Sequence, residues 1–176
     1  NAPELARRAE DAGVRLVTIH GRTRCQFYTG RADWAAIRAV KEAVAIPVIA
    51  NGDIDGPAAA TAALRQSGAD GVMVGRAVQG RPWLLAEISH ALYGTPRPVV
   101  PRGGALADMV AAHYEDMLSF YGTALGLRVA RKHLGWYMDG QGTPQALRRE
   151  VLTAREPGAV LVRLPLALAG QAAVAA

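Results

Sequence analysis

Lysine is nearly absent from this chain. Only Lys41 and Lys132 occur among the 20 basic residues of 176, and every other positive side chain is arginine. Arginine presents a planar fork that grips phosphate through two bonds at once. A net charge of +5 carried this way suits a nucleic acid or a phosphorylated cofactor. A genome that favours Arg and Ala codons would give the same balance, so composition leaves the two readings even. Cysteine is scarcer still: Cys25 stands alone, which excludes an internal disulfide and disfavours a zinc site. No apolar run reaches the ~18 residues of a membrane helix, and no signal segment opens the chain. These absences fit a cytoplasmic protein, with no membrane, no metal and no protein partner indicated. An initiator methionine is missing as well. The chain opens at Asn1 in the approach to a helix, and it is expected to be a piece of a longer protein.

What is present is an apolar content of 51%, enough for a sizeable core. Residues 3–12 read as a helix, 14–20 as a strand and 21–32 as a long polar loop. Asp33 then caps a helix bearing Trp34, Ile37, Val40 and Val44 at helical spacing. A second strand covers 46–50, a helix 57–67, a third strand 72–74 and a further helix 82–92. Helices alternating with nearly continuous apolar strands predict a parallel sheet buried on both faces. Three strands cannot close an eight-stranded barrel of roughly 200–250 residues, so the first part of such a barrel is expected to lie elsewhere. Residues 94–104 form a Pro/Gly linker, the expected boundary between an α/β part at 1–93 and an all-α part at 105–176. Helices are expected there at 105–121, 127–138, 144–153 and 157–169, with an Ala-rich tail at 167–176.

Two glycine turns concentrate the chemistry. Asn51-Gly52-Asp53 follows the second strand, and Gly75-Arg76 follows the third. Turns of this kind beside a helix start offer backbone N–H groups to an anion. In a parallel α/β barrel the loops after the last two strands are the usual phosphate site. Asp53 has the alternative of merely capping the next turn. His20 ends the first strand, where barrel active sites gather; it suits either a cofactor contact or a satisfied strand-end histidine. Arg22, Arg24 and Arg31, with Phe27 and Tyr28, suit phosphate pairing and base stacking, or a solvated loop. Cys25 has no base arranged beside it and reads as incidental. In the helical part, Arg128, Arg131 and Lys132 share one helix face opposite Leu127, Ala130, Leu134 and Tyr137. That face suits RNA phosphates or plain solvent.

The same stretches resemble the bacterial tRNA-dihydrouridine synthases, most nearly the B-type, nitrogen-regulation-associated branch. The resemblance rests on 18–24 (TIHGRTR) with 28–34 (YTGRADW), 46–54 (IPVIANGDI), 68–77 (GADGVMVGRA) through Gly80-Arg81-Pro82-Trp83, and 131–137 (RKHLGWY). It is close from residue 1 to about 155 and looser beyond. It implies an FMN-binding TIM barrel, of which these are the sixth, seventh and eighth strands, followed by a helical tRNA-binding domain. It implies that His20 contacts the flavin and that Asn51, Gly52, Asp53, Gly75 and Arg76 hold its phosphate side. In the family NADPH reduces FMN, the flavin passes hydride to C6 of a uracil flipped out of the tRNA, and a cysteine protonates C5. Flipping follows from the need to bring a stacked base to the flavin face. The family's cysteine and its flavin-contacting lysine belong to earlier strands, and Cys25 lies in the wrong loop to replace that cysteine. The chain alone is therefore expected to hold no catalytic residue and to be inactive. Two alternatives stay open: another FMN-dependent barrel acting on a small pyrimidine, and a non-enzymatic RNA-binding module.

Overall fold

A computed structural model describes residues 1–27 and 29–170. Tyr28 and the end of the Ala-rich tail, 171–176, lie outside the described residues. The chain divides into two compact units, one of Asn1–Val78 with Trp83–Pro98 and the other of Gln79–Pro82 with Val99–Ala176.

The first unit is a mixed α/β structure around a small parallel sheet. Helix α1 (Ala2–Asp11) leads to β1 (Val17–His20), α2 (Trp34–Lys41), β2 (Val48–Asn51), α3 (Pro57–Ser67), β3 (Gly71–Met73) and α4 (Leu84–Tyr93). Strand order is β1-β2-β3, all parallel, with His20 opposite Asn51 and Asn51 opposite Met73. Strand alternation sends Val17, Ile19, Val48 and Ala50 to one face. There they pack with Ile37, Trp34 and Val44 of the α2 region. The opposite face carries Thr18, His20, Ile49, Asn51 and Met73, and Met73 is 51% exposed. Burial on both faces was the expectation for this sheet; among the described residues only the helix-covered face is closed.

Local chemistry explains the element ends. Asp33 accepts a hydrogen bond from Ala36 N at 3.0 Å, the expected cap of α2. The first strand starts later than its apolar pattern predicts. Val14 N bonds back to Ala9 O, so Val14 finishes the α1 turn instead of entering the sheet, and Val14 and Leu16 remain exposed. Asp70 receives Lys41 Nζ at 2.8 Å and Val48 N at 2.8 Å, tying the entry of β3 to α2 and β2. These bonds, Lys41 first, hold its carboxyl below the usual range.

The described elements of the second unit are helices: α5 (Gly103–Tyr121), α6 (Thr123–Gln141), α7 (Gln145–Thr153), α8 (Pro157–Leu161) and α9 (Leu164–Ala167). Leu106, Val110, Tyr114, Leu134, Met138 and Leu164 are buried. Helix α6 begins four residues before the predicted 127. Gly126, which weakens the local helical signal, is where α5 and α6 cross: a Cβ there would stand 2.9 Å from Met117 O and Leu118 Cα. The single helix expected over 157–169 is two short ones. Pro165 in the first turn of α9 lacks an N–H and ends any continuation of α8. Segment Gln79–Pro82 belongs to this unit through Gly80, which has φ +72°; a Cβ on it would strike the Trp136 carbonyl group, 2.7 Å from the carbon.

Gly80→Ala should therefore destabilise the chain by about 1–3 kcal/mol through left-handed strain and the collision with backbone. Gly140, with nothing near a Cβ, provides the contrast. Gly140→Ala should be neutral or stabilising by a few tenths to about 1 kcal/mol. Urea unfolding of the two variants measures both.

Candidate functional site

The three strands end together, and the residues just past their ends surround one cavity of about 360 Å³. His20, Asn51, Gly52, Asp53, Gly75 and Arg76 line it, together with Ile54, Asp55 and Ala77. All six candidates singled out for a phosphate-bearing cofactor thus meet at one place. Register explains the meeting: His20 and Asn51 are partners across the sheet, and Asn51 Nδ2 donates to Met73 O at 2.8 Å, tying the end of β2 to that of β3.

Each member is held. Gly52 has φ +110°, and a Cβ on it would lie 2.9 Å from the His20 ring, so only glycine lets the turn pass under the imidazole. Trp34 Nε1 donates to Gly52 O at 2.7 Å. The sequence marks Trp34 only as an apolar helix residue; its role as an anchor for this turn depends on the fold. His20 Nδ1 accepts from Arg22 N at 3.0 Å. That bond leaves Nε2 as the proton-bearing nitrogen of a neutral ring. No heavy atom lies within 4 Å of a Cβ position on Gly75, so a ligand has open access to that backbone. Arg76 opens the one-turn 3-10 helix Arg76–Val78 and is exposed.

Arg22 is placed differently from the solvent-facing phosphate contact read from sequence. Its side chain is only 6% exposed. Nη1 and Nη2 donate to the two carboxylate oxygens of Asp53, each at 2.7 Å. Nη2 also donates to Gly30 O at 2.7 Å, and Nε to Thr29 O at 3.2 Å. Asp53, at φ +53°, takes a third bond from Ala32 N at 2.7 Å. The pair clamps the polar loop onto the turn after β2, and the guanidinium makes its hydrogen bonds within the chain. The Arg22 bonds hold the Asp53 carboxyl below its usual range, partial burial works against them, and the Ala32 N–H adds to them. In retrospect the parallel register is the signal: Arg22 and Asp53 each stand two residues past partnered strand ends.

Arg24 and Arg31 remain exposed in this loop. Arg24 lines a second cavity of about 310 Å³ with His20, Arg22, Thr23 and Phe27. Cys25 is exposed. In the second unit, Arg128, Arg131 and Lys132 are exposed on α6, while Ala130, Leu134 and Tyr137 are buried. Among the described residues no group of three or more His, Cys, Asp or Glu side chains is arranged for a metal ion. No helix there is long and apolar enough to cross a membrane.

The sequence profile of the dihydrouridine synthase family matches residues 1–171. The chain belongs to the dihydrouridine synthase family. A protein of Rhodobacter capsulatus named probable tRNA-dihydrouridine synthase is 58% identical over 161 residues, which is 92% of this chain and 49% of that protein. One of the same name from Rhizobium leguminosarum bv. phaseoli is 50% identical over 173 residues, 96% of this chain and 51% of its own. The tRNA-dihydrouridine synthase B of Xanthomonas axonopodis pv. citri is 45% identical over 161 residues, 92% and 48% of the two chains. The chain thus spans about half the length of the curated relatives it matches.

The clamp gives a pH prediction. Asp53 titrates lower in the folded state than in the unfolded one. Its contribution is therefore complete above the ordinary aspartate range and is lost as pH falls through the lowered value. The amide protection of Ala32 and Asp33, relative to the unstructured rate at the same pH, should fall in that acid window in the native chain. Asp53→Asn should show the lowered protection already at neutral pH, with about 1–3 kcal/mol less stability.

Proposed function

We propose that this chain is part of a tRNA-dihydrouridine synthase that reduces a specific tRNA uridine to 5,6-dihydrouridine with FMN as cofactor and NADPH as reductant. The observation that carries the reading is the convergence of six residues, from three consecutive strand ends, on one cavity. The residues present fit a flavin phosphate. Gly75 leaves backbone accessible, Arg76 brings a cation to the cavity rim, and the nearest carboxylate, Asp53, is already neutralised by Arg22. Asp55 is the second carboxylate among the lining residues. His20, held by Arg22 N, would present its Nε2 proton as a donor to the cofactor. Asn51 would keep its position through the bond to Met73 O. Bound reduced flavin supplies the hydride that saturates the uracil ring.

In this reading 1–93 is the last part of a TIM barrel, 94–104 a linker and 105–176 a helical tRNA-binding domain. The rest of the full-length protein would complete the barrel and bring the catalytic cysteine, so these 176 residues alone are inactive. Arg128, Arg131 and Lys132 would track tRNA phosphates, with Arg24 and Arg31 contributing from the loop. Arg22 serves as a positioning residue. The relatives' names, all for enzymes acting on tRNA, favour this over a flavin enzyme for small pyrimidines.

Purified chain should retain FMN, released and fluorescent after denaturation, and Arg76→Ala should weaken that binding about tenfold or more. An unchanged affinity would remove Arg76 from the phosphate side. Arg131→Ala should weaken tRNA binding and lower the slope of log K against log salt by about 1. Equal slopes would move the RNA surface elsewhere.

A further inference from the structure

The polar loop after β1 carries a side chain that neither the clamp nor the phosphate cradle uses. Phe27 has φ +49° and ψ −109°, a region in which a bulky side chain crowds its own backbone. Bonds on both sides hold it there. Ahead of it, Thr23 N donates to Gln26 Oε1 at 2.7 Å and Gln26 N donates to Thr23 O at 3.1 Å. Behind it, Thr29 N and Thr29 Oγ1 both donate to Gln26 O, at 2.9 and 2.7 Å. The ring gains no burial in return, since Phe27 is 73% exposed. Strain held in place by surrounding bonds gathers at ligand sites.

The ring borders the second cavity, of about 310 Å³, with His20, Arg22, Thr23 and Arg24. That volume lies at the lower end of small-ligand pockets, roughly 300–1,000 Å³. Among the described residues its lining holds no acidic side chain. Arg22 is committed to Asp53 and to two loop carbonyls. Arg24 is exposed and joins none of the ion pairs among the described residues. A flat ring in water beside a guanidinium matches a ligand that is itself flat and anionic. A nucleotide is both: its base stacks on the ring, and its phosphate meets the fork of Arg24. A basic peptide would find two guanidiniums along that lining and no carboxylate.

Exposure also decides which nucleotide. Hydride transfer needs a site closed to water, and a ring left this open closes nothing. The nucleotide on Phe27 is therefore not the one being reduced.

We propose that Phe27 and Arg24 form an accessory nucleotide site beside the phosphate cavity, joined to it by His20, which lines both. Its ligand is a phosphorylated nucleoside with two available sources: an RNA residue flanking the target uridine, or the adenosine phosphate end of NADPH. The proposal rests on the dihydrouridine synthase reading and adds a second point of attachment to it.

The test measures the affinity of the whole chain for oligo(U), NADPH and FMN over a range of salt. Stacking releases no counterions. Phe27→Ala should therefore weaken oligo(U) or NADPH about tenfold and leave that ligand's salt slope unchanged. Phe27→Trp keeps a flat face and should retain the native affinity. Arg24→Ala should weaken the same ligand and lower its salt slope. FMN should be indifferent to all three substitutions. Phe27 is largely in water, so Phe27→Ala should unfold thermally as the native chain does. A loss for oligo(U) assigns the site to RNA, and a loss for NADPH assigns it to the reductant. Native affinity for both ligands in Phe27→Ala and Arg24→Ala would overturn the site. A loss confined to FMN would overturn it too and give the ring to the cofactor cradle, and so would a native chain that binds neither oligo(U) nor NADPH. Retained FMN that Arg76→Ala releases would leave the proposed function standing in each of those cases.

Discussion

Arg22 and Asp53 hold the candidate site together. The polar loop after β1 has few apolar residues of its own, and loops of that composition ordinarily wander. Here one guanidinium spends its donors on a carboxylate and two loop carbonyls. The carboxylate in turn fixes the far end of the loop through Ala32 N. Gly21 O, accepting from Asp33 N at 2.7 Å, closes the same loop at its neck. Because the Arg22 side chain is almost fully withdrawn from water, the charges see a lower dielectric and attract more strongly than a surface pair. Removing Asp53 would leave the Arg22 guanidinium a poorly solvated charge.

That clamp sets the geometry of everything at the strand ends. Asp53 must adopt φ +53° to meet Arg22, and Gly52 must adopt φ +110° to pass the His20 ring. The turn is therefore shaped before any ligand arrives. The His20 tautomer is set by the same residue, since Arg22 offers its backbone N–H to Nδ1. One arginine thus anchors the loop, pairs with a carboxylate at the candidate site and orients the histidine. A cofactor that meets a preorganised cradle loses less free energy to ordering it.

In the helical unit, glycine has the opposite use. Gly126 and Gly80 allow backbone to approach backbone, at the α5–α6 crossing and at the Trp136 carbonyl. Close approach widens van der Waals contact between the elements. It also leaves the outer faces free of any structural duty. The arginines of α6 occupy such a face.

The sequence by itself determined the alternation of helices and strands, the Asp33 cap and the two glycine turns. These follow from local chemistry: caps, φ preferences and side-chain periodicity act within a few residues. The family was legible for the same reason, since its motifs are continuous stretches. Tertiary structure alone decided the rest. It turned Arg22 inward, made Trp34 the anchor of Gly52, gave Val14 to the helix end and let Gly126 sit inside a helix. Each outcome depends on a partner far away in the chain, such as Asp53 for Arg22 or Leu118 for Gly126. A guanidinium in a polar loop reads the same whether it faces water or a carboxylate of the same chain. Only the parallel register that places Asp53 beside it settles which.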